Sequence, residues 1–174
     1  LVVAQWMNVF LRKCDVLKIA CLAQIVNTIS PITTTKDRVL KHTTYYPFML
    51  FSRMASGYAL DVAVKAPLIE TREFGEVPVL DVASSHNPET NTNSIFIVNR
   101  NQTDSVAVDL RWQALIPNRV KLGYQLTGTD PKAVNTLANP ECIIARAITV
   151  PAVYDSSVGL QLPPLSFTAL EVEL

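Results

Sequence analysis

Three cysteines and two histidines have the widest chemical reach in this sequence: Cys14, Cys21, Cys142, His42 and His86. A zinc site needs thiolates and imidazoles at short, repeated spacings. No two of these cysteines form a C-x-x-C pair, and no histidine follows Cys14 or Cys21 at ligand spacing. No metal site is expected, and no cofactor. The odd number of thiols suits buried free cysteines in a reducing compartment. The seven glutamates, Glu70, Glu73, Glu76, Glu89, Glu141, Glu171 and Glu173, all follow residue 58. Each reads as a solvated carboxylate on a loop or strand face. One sequon, Asn101-Gln102-Thr103, is too common a pattern to argue for secretion. The basic stretch Lys36, Arg38 and Lys41 suits a site entrance or a subunit contact, and the residues do not choose between them.

Composition narrows the field. The 174 residues are 49% hydrophobic and 17% charged, so the chain can bury a core and is not disordered. Fifteen Lys and Arg balance fifteen Asp and Glu. A general nucleic-acid binder would carry a basic excess, so no nucleic acid is expected. Arg12, Lys13, Lys18 and Arg53 interrupt the longest apolar runs. None reaches the ~20 residues of a membrane helix, so no membrane partner is expected either. Charge is uneven: residues 1–42 carry six Lys and Arg against two Asp, a balance of +4, and residues 43–174 carry −4. The charges do not cluster into a basic arm, and two pieces with different surroundings explain the asymmetry.

The elements that must position any site change character near residue 58. The opening LVVAQWMNVFLRKCD has no basic region ahead of its apolar stretch and no small-residue cleavage site, so it does not read as a good signal peptide. Val3, Trp6, Met7, Phe10 and Leu11 recur at helical spacing, and Arg12 and Lys13 suit the negative end of the helix. Trp6 reads as packing. Nothing like an N-cap precedes Leu1, so the expectation is that the helix starts upstream and the chain is the tail of a longer protein. VLKIACLAQ, residues 16–24, is short and apolar on both faces, which suits a buried parallel strand. A long connection of about 18 residues follows, a length typical of binding loops. TTYYPFMLFSRMASG reads as a second helix, with Pro47 in its first turn and Gly57 ending it.

Beyond Tyr58 the period drops to two. Val106, Val108, Leu110 and Trp112 alternate with Ala107, Asp109 and Arg111. Val120, Leu122, Tyr124 and Leu126 are expected inward, and Leu170, Val172 and Leu174 alternate with Glu171 and Glu173. Further strands are expected at 59–65, 77–84, 94–100, 142–150 and 158–163. About eight short strands with turn signals between them indicate an antiparallel β-sandwich. A lone parallel strand and two helices leave backbone groups unpaired, so residues 1–57 need partner strands, which a (β/α)8 barrel would supply.

The chain resembles the C-terminal part of the α-L-arabinofuranosidases of glycoside hydrolase family 51. The segments that carry the resemblance are residues 1–32, TTYYPFMLFSRMASG, VPVLDVAS, IFIVNR, NTLANP at 135–140 and the closing LPPLSFTALEVEL. It implies the end of a (β/α)8 TIM barrel in residues 1–57, contributing its last strand and flanking helices. A jelly-roll-type antiparallel sandwich then fills residues 58–174. It implies a retaining, exo-acting hydrolase that removes terminal α-L-arabinofuranosyl groups from arabinan, arabinoxylan and related oligosaccharides. Such an enzyme works with two carboxyls ~5–5.5 Å apart. In the family both glutamates lie upstream of the segment matched here, so no catalytic residue is expected and the chain alone should be inactive. The residue carried over is Gln24, which closes the apolar strand and would contact the arabinofuranosyl unit; an amide both donates to and accepts from hydroxyls. Asn27, next along, reads as a turn stabiliser. The resemblance also implies a homo-oligomer, often a hexamer, and a cytoplasmic location. The competing reading is a non-catalytic carbohydrate-binding or assembly sandwich, which would expose aromatic residues on one face.

Overall fold

The computed structural model describes residues 1–22 and 24–174. Helix α1 spans Val2–Arg12 and α2 spans Tyr45–Met54. Between them lies a small antiparallel hairpin, β1 (Ile32–Thr34) with β2 (Val39–Lys41). Strands β3 (Tyr58–Leu60), β4 (Leu68–Thr71), β5 (Gly75–Pro78), β6 (Leu80–Asn87) and β7 (Thr92–Asn99) follow. The chain continues through β8 (Val106–Arg111), β9 (Arg119–Leu126), β10 (Arg146–Ala147), β11 (Val153–Tyr154), β12 (Ser157–Leu162) and β13 (Ser166–Glu173). Among the described residues no helix is long and apolar enough to cross a membrane.

A six-stranded sheet, ordered β10-β9-β13-β7-β6-β3, forms the middle layer, and every ladder in it is antiparallel. One of its faces meets the three-stranded sheet β11-β12-β8. Val82, Ile95, Ile97, Leu170 and Val172 form that core, and Val106, Val108 and Leu110 close it from the outer sheet. The opposite face meets the two helices, where Phe96, Val98, Phe167 and Ala169 pack with Ala4, Leu50, Phe51 and Met54. The middle sheet is therefore covered on both sides. All eight residues of β7 are buried, which accounts for its near-continuous apolar run, Ile95 to Val98. The outer strand β8 has one dry face, and it alternates as expected.

Several expectations change, and the strands expected at 59–65 and 142–150 shorten to β3 and β10. The inward row Val120, Leu122, Tyr124 and Leu126 is broken by a bulge: Glu171 pairs with Leu122 but Val172 with Val120, leaving Lys121 as the extra residue. One extra residue moves all later side chains to the opposite face. Val120 thus joins the sheet–sheet core, Tyr124 and Leu126 join the helix side, and Leu122 is exposed. Residues 16–24 do not form the expected strand. Ala23 lies outside the described residues, and the others make no ladder and are half-buried or exposed. A strand needs a neighbour to pair with, and among the described residues none pairs with that segment. Finally, Cys14, Cys21 and Cys142 are free but exposed rather than buried.

Helix α1 also docks differently. Its sheet-facing side is Ala4, Met7, Asn8 and Leu11. Small Ala4 allows close approach, and Asn8 donates to the Asp81 carboxylate at 3.0 Å. Trp6 points away from that contact and is 57% exposed, next to exposed Val2 and Val9.

Candidate functional site

The segment after α1 holds the one residue expected to touch a ligand. Gln24 is exposed and its backbone sits at φ +50°. Asn27 at +72° and Ile29 at +47° share that left-handed region. Asparagine tolerates it, but a β-branched isoleucine does not. Such backbone persists only where the surroundings over-determine it, and it concentrates at binding and catalytic sites.

The surroundings here are a set of short hydrogen bonds. Asn27 donates its backbone N–H to Ile32 O at 2.8 Å. Its Oδ1 accepts from the Thr34 N–H at 2.7 Å, and its Nδ2 donates to Thr34 Oγ1 at 3.1 Å. Asn27 thus stabilises a turn, folding the loop back on β1, where Val26 makes a parallel bridge to Ile32. The hairpin behind it is closed by Thr35, whose N–H donates to Arg38 O at 2.8 Å, and by the pair Thr33 Oγ1 and His42 Nε2 at 2.8 Å.

The three cations of this stretch have different surroundings. Arg38 reaches across to Leu137, donating to its carbonyl at 3.2 Å. Lys41 lies over the Tyr45 ring, 5.1 Å from its centroid, a cation–π contact. Lys36 is exposed in the hairpin turn. Among the described residues no three or more His, Cys, Asp and Glu side chains gather where a metal could bind.

The glutamates do not assemble into a cleft. Glu70 and Glu76 face each other across the β4–β5 ladder, and both are exposed. Glu171 pairs with Lys121 at 3.3 Å and Glu173 with Arg119 at 2.9 Å, both glutamates half-buried at the end of β13. Trp112 is half-buried against the sheet–sheet core and donates its indole N–H to Asn93 Oδ1 at 2.8 Å. Tyr124 packs on the helix-side core. The most exposed aromatics, Tyr58, Phe74 and Tyr154, sit on three separate elements: β3, the β4–β5 turn and β11.

One residue escaped the sequence reading. Asn135 is only 3% exposed, and its amide bonds both to the end of β2, at Lys41, and to Ile143. Its signal was its place at the head of the NTLANP stretch.

Residues 1–166 match the α-L-arabinofuranosidase C-terminal domain family. The chain is 32% identical over 161 residues to the intracellular exo-α-(1→5)-L-arabinofuranosidase of Streptomyces lividans, covering 92% of this chain and 24% of that protein. It is 40% identical over 107 residues to the enzyme of the same name from Halalkalibacterium halodurans, covering 61% of this chain and 21% of that protein. Among solved structures, a family 51 α-L-arabinofuranosidase from Bifidobacterium longum superposes with a TM-score of 0.92 at 26% identity, over 99% of this chain and 34% of that one. The chain thus spans about a quarter to a third of the length of these relatives.

Proposed function

The chain belongs to the α-L-arabinofuranosidase C-terminal domain family, and on that premise we propose that it serves as the C-terminal part of a retaining exo-α-L-arabinofuranosidase. In this reading residues 1–57 complete a (β/α)8 barrel and residues 58–174 form a jelly-roll-type sandwich. The observation that carries it is the family match over residues 1–166. The exposed apolar side chains of residues 1–29 support it, among them Trp6, Val16, Ile19, Ile25 and Ile29. So many exposed large apolar side chains within one segment suit a surface that another part of the protein covers. Barrel strands and helices supplied by the rest of the enzyme would cover it and give residues 16–24 strand neighbours.

The division of labour follows. Two upstream glutamates perform the chemistry, one as nucleophile and one as acid/base, ~5–5.5 Å apart. This chain contributes Gln24, at the end of the segment that would become the last barrel strand. Its amide donates to one sugar hydroxyl and accepts from another. Catalytic groups in such barrels gather at the strand C-termini, where Gln24 would lie. The substrate is a terminal α-L-arabinofuranosyl group of an oligosaccharide or polysaccharide. The enzyme works in the cytoplasm as a homo-oligomer.

The test compares p-nitrophenyl α-L-arabinofuranoside hydrolysis by the protein extended upstream with that by the 174 residues alone. Turnover by the extended protein and none by the short chain is the expected result. Gln24→Ala in the active form should raise KM roughly tenfold, the worth of one or two lost hydrogen bonds. Equal turnover by the short chain would overturn the reading.

A further inference from the structure

The connection from β9 to β10 runs through residues 127–145 without regular structure. At its centre Asn135 is buried, and its amide uses both donors and its acceptor. Nδ2 donates to Lys41 O at 2.9 Å and to Ile143 O at 2.9 Å, while Oδ1 accepts from the Ile143 N–H at 2.8 Å. The next residues form a tight turn in which Thr136 and Asn139 exchange backbone bonds of 3.0 and 3.1 Å. Within that turn lies Leu137, whose carbonyl accepts from Arg38 Nη1 at 3.2 Å. One connection of the sandwich therefore grips the β1–β2 hairpin at two points, the end of β2 and the turn.

The hairpin cannot hold itself. Its strands are three residues each, and Leu40 is its one buried side chain. Isolated two-stranded ribbons are marginal in water. Yet this hairpin is what Val26 and Asn27 bond to, two and three residues beyond Gln24. The left-handed backbone at Gln24, Asn27 and Ile29 relaxes unless something external fixes it.

We propose that Asn135 is a positioning residue: by clamping the β1–β2 hairpin it fixes the loop that presents Gln24 to the arabinofuranosyl unit. The proposal rests on the functional reading above. It gives the sandwich a part in substrate binding that acts through the hairpin.

The experiment uses the full-length enzyme with three single variants and one double variant. Asn135→Ala removes the clamp. Arg38→Ala removes the second grip from an exposed position, so it preserves the fold even where Asn135→Ala does not. Gln24→Ala supplies the reference. Hydrogen exchange and p-nitrophenyl α-L-arabinofuranoside kinetics are read together. The expected result for Asn135→Ala is exchange roughly tenfold faster at residues 26–41 with β7 and β13 unchanged, as for one or two lost hydrogen bonds. KM rises several-fold while kcat changes little, and Arg38→Ala shows the same pattern more weakly. The double variant Gln24→Ala/Asn135→Ala binds no worse than Gln24→Ala, because both changes remove the same contact. An unmoved KM in both clamp variants overturns the proposal, as does faster exchange spread equally over β7. A wild-type enzyme without arabinofuranosidase activity overturns the functional reading itself, and is told apart by the wild-type assay alone.

Discussion

Arg12 and Asp81 bind the first helix to the central sheet: Nη1 of Arg12 lies 2.9 Å from Oδ1 of Asp81. The same guanidinium nitrogen donates to Val82 O at 2.8 Å, and Asn8 Nδ2 reaches the other carboxylate oxygen at 3.0 Å. The aspartate side chain is 14% exposed and the arginine 38%, so the contact is drier than an ordinary surface pair. Asp81→Ala takes the carboxylate from Arg12 and Asn8, which keep only the backbone carbonyls of Val82 and of position 81, and should cost about 2 kcal/mol in a urea titration. Arg12→Ala, which removes the more exposed partner, should cost about 1 kcal/mol. A loss below about 0.5 kcal/mol for Asp81→Ala would show that the carboxylate adds no more than an ordinary surface pair.

That packing centres on Phe51, whose ring stacks on Phe96 with centroids 3.8 Å apart and planes 16° apart. Phe167 extends the stack, 6.0 Å from Phe51. Phe51→Ala empties the centre of the helix–sheet core and should cost about 3–5 kcal/mol. Trp6→Ala should cost less than about 0.5 kcal/mol in the 174-residue chain, where the indole is mostly exposed. In an enzyme whose barrel covers that side of α1, the same substitution should cost several times more. Equal small losses in both would count against the barrel.

How much could be read from the sequence depended on how local each signal was. The alternation of β8 was plain because one face is dry and the other wet. The parity of β9 was not, because the bulge at Lys121 is made by pairing with β13 and leaves no mark in a period of two. Both helices were visible, but not which side of α1 docks, since Trp6 and Met7 are equally apolar and only the sheet distinguishes them. The apolar character of residues 16–24 was legible, whereas strand formation requires neighbours. Gln24 stood out only through the family resemblance. Asn135 could not be found by spacing, because its partner Lys41 lies 94 residues away.

Two glycines with left-handed backbone predict losses of different size. Gly57, at φ +79°, ends the approach to β3, and a Cβ there would stand 2.1 Å from His86 O. Backbone on both sides must move, so Gly57→Ala should cost more than about 2 kcal/mol. Gly75, at φ +63°, has no atom within 4 Å of its would-be Cβ. Gly75→Ala carries the conformational penalty alone, about 1 kcal/mol. Thermal denaturation of the two variants side by side checks the contrast, and equal shifts in Tm would contradict it.

The acid limb of stability should depend on Glu173. Arg119 donates from Nε to its Oε2 at 3.0 Å, and Asn118 donates to Oε1 at 3.2 Å. The hydrogen bond from Arg119, its charge and the Asn118 amide hold this carboxyl below the usual glutamate value, against a weaker opposing effect of desolvation. A carboxyl more acidic in the folded than in the unfolded state binds fewer protons when folded. Its contribution is complete above the unfolded value of about 4.3 and is lost as pH falls through the folded value. Wild type and Glu173→Gln should therefore differ most near neutral pH, and their denaturation midpoints should converge as the pH drops below about 4. Because the pair is solvent-exposed, high salt at neutral pH should narrow the gap too. A gap that persisted at low pH would mean that the glutamate acts through packing at the end of β13 and not through its charge.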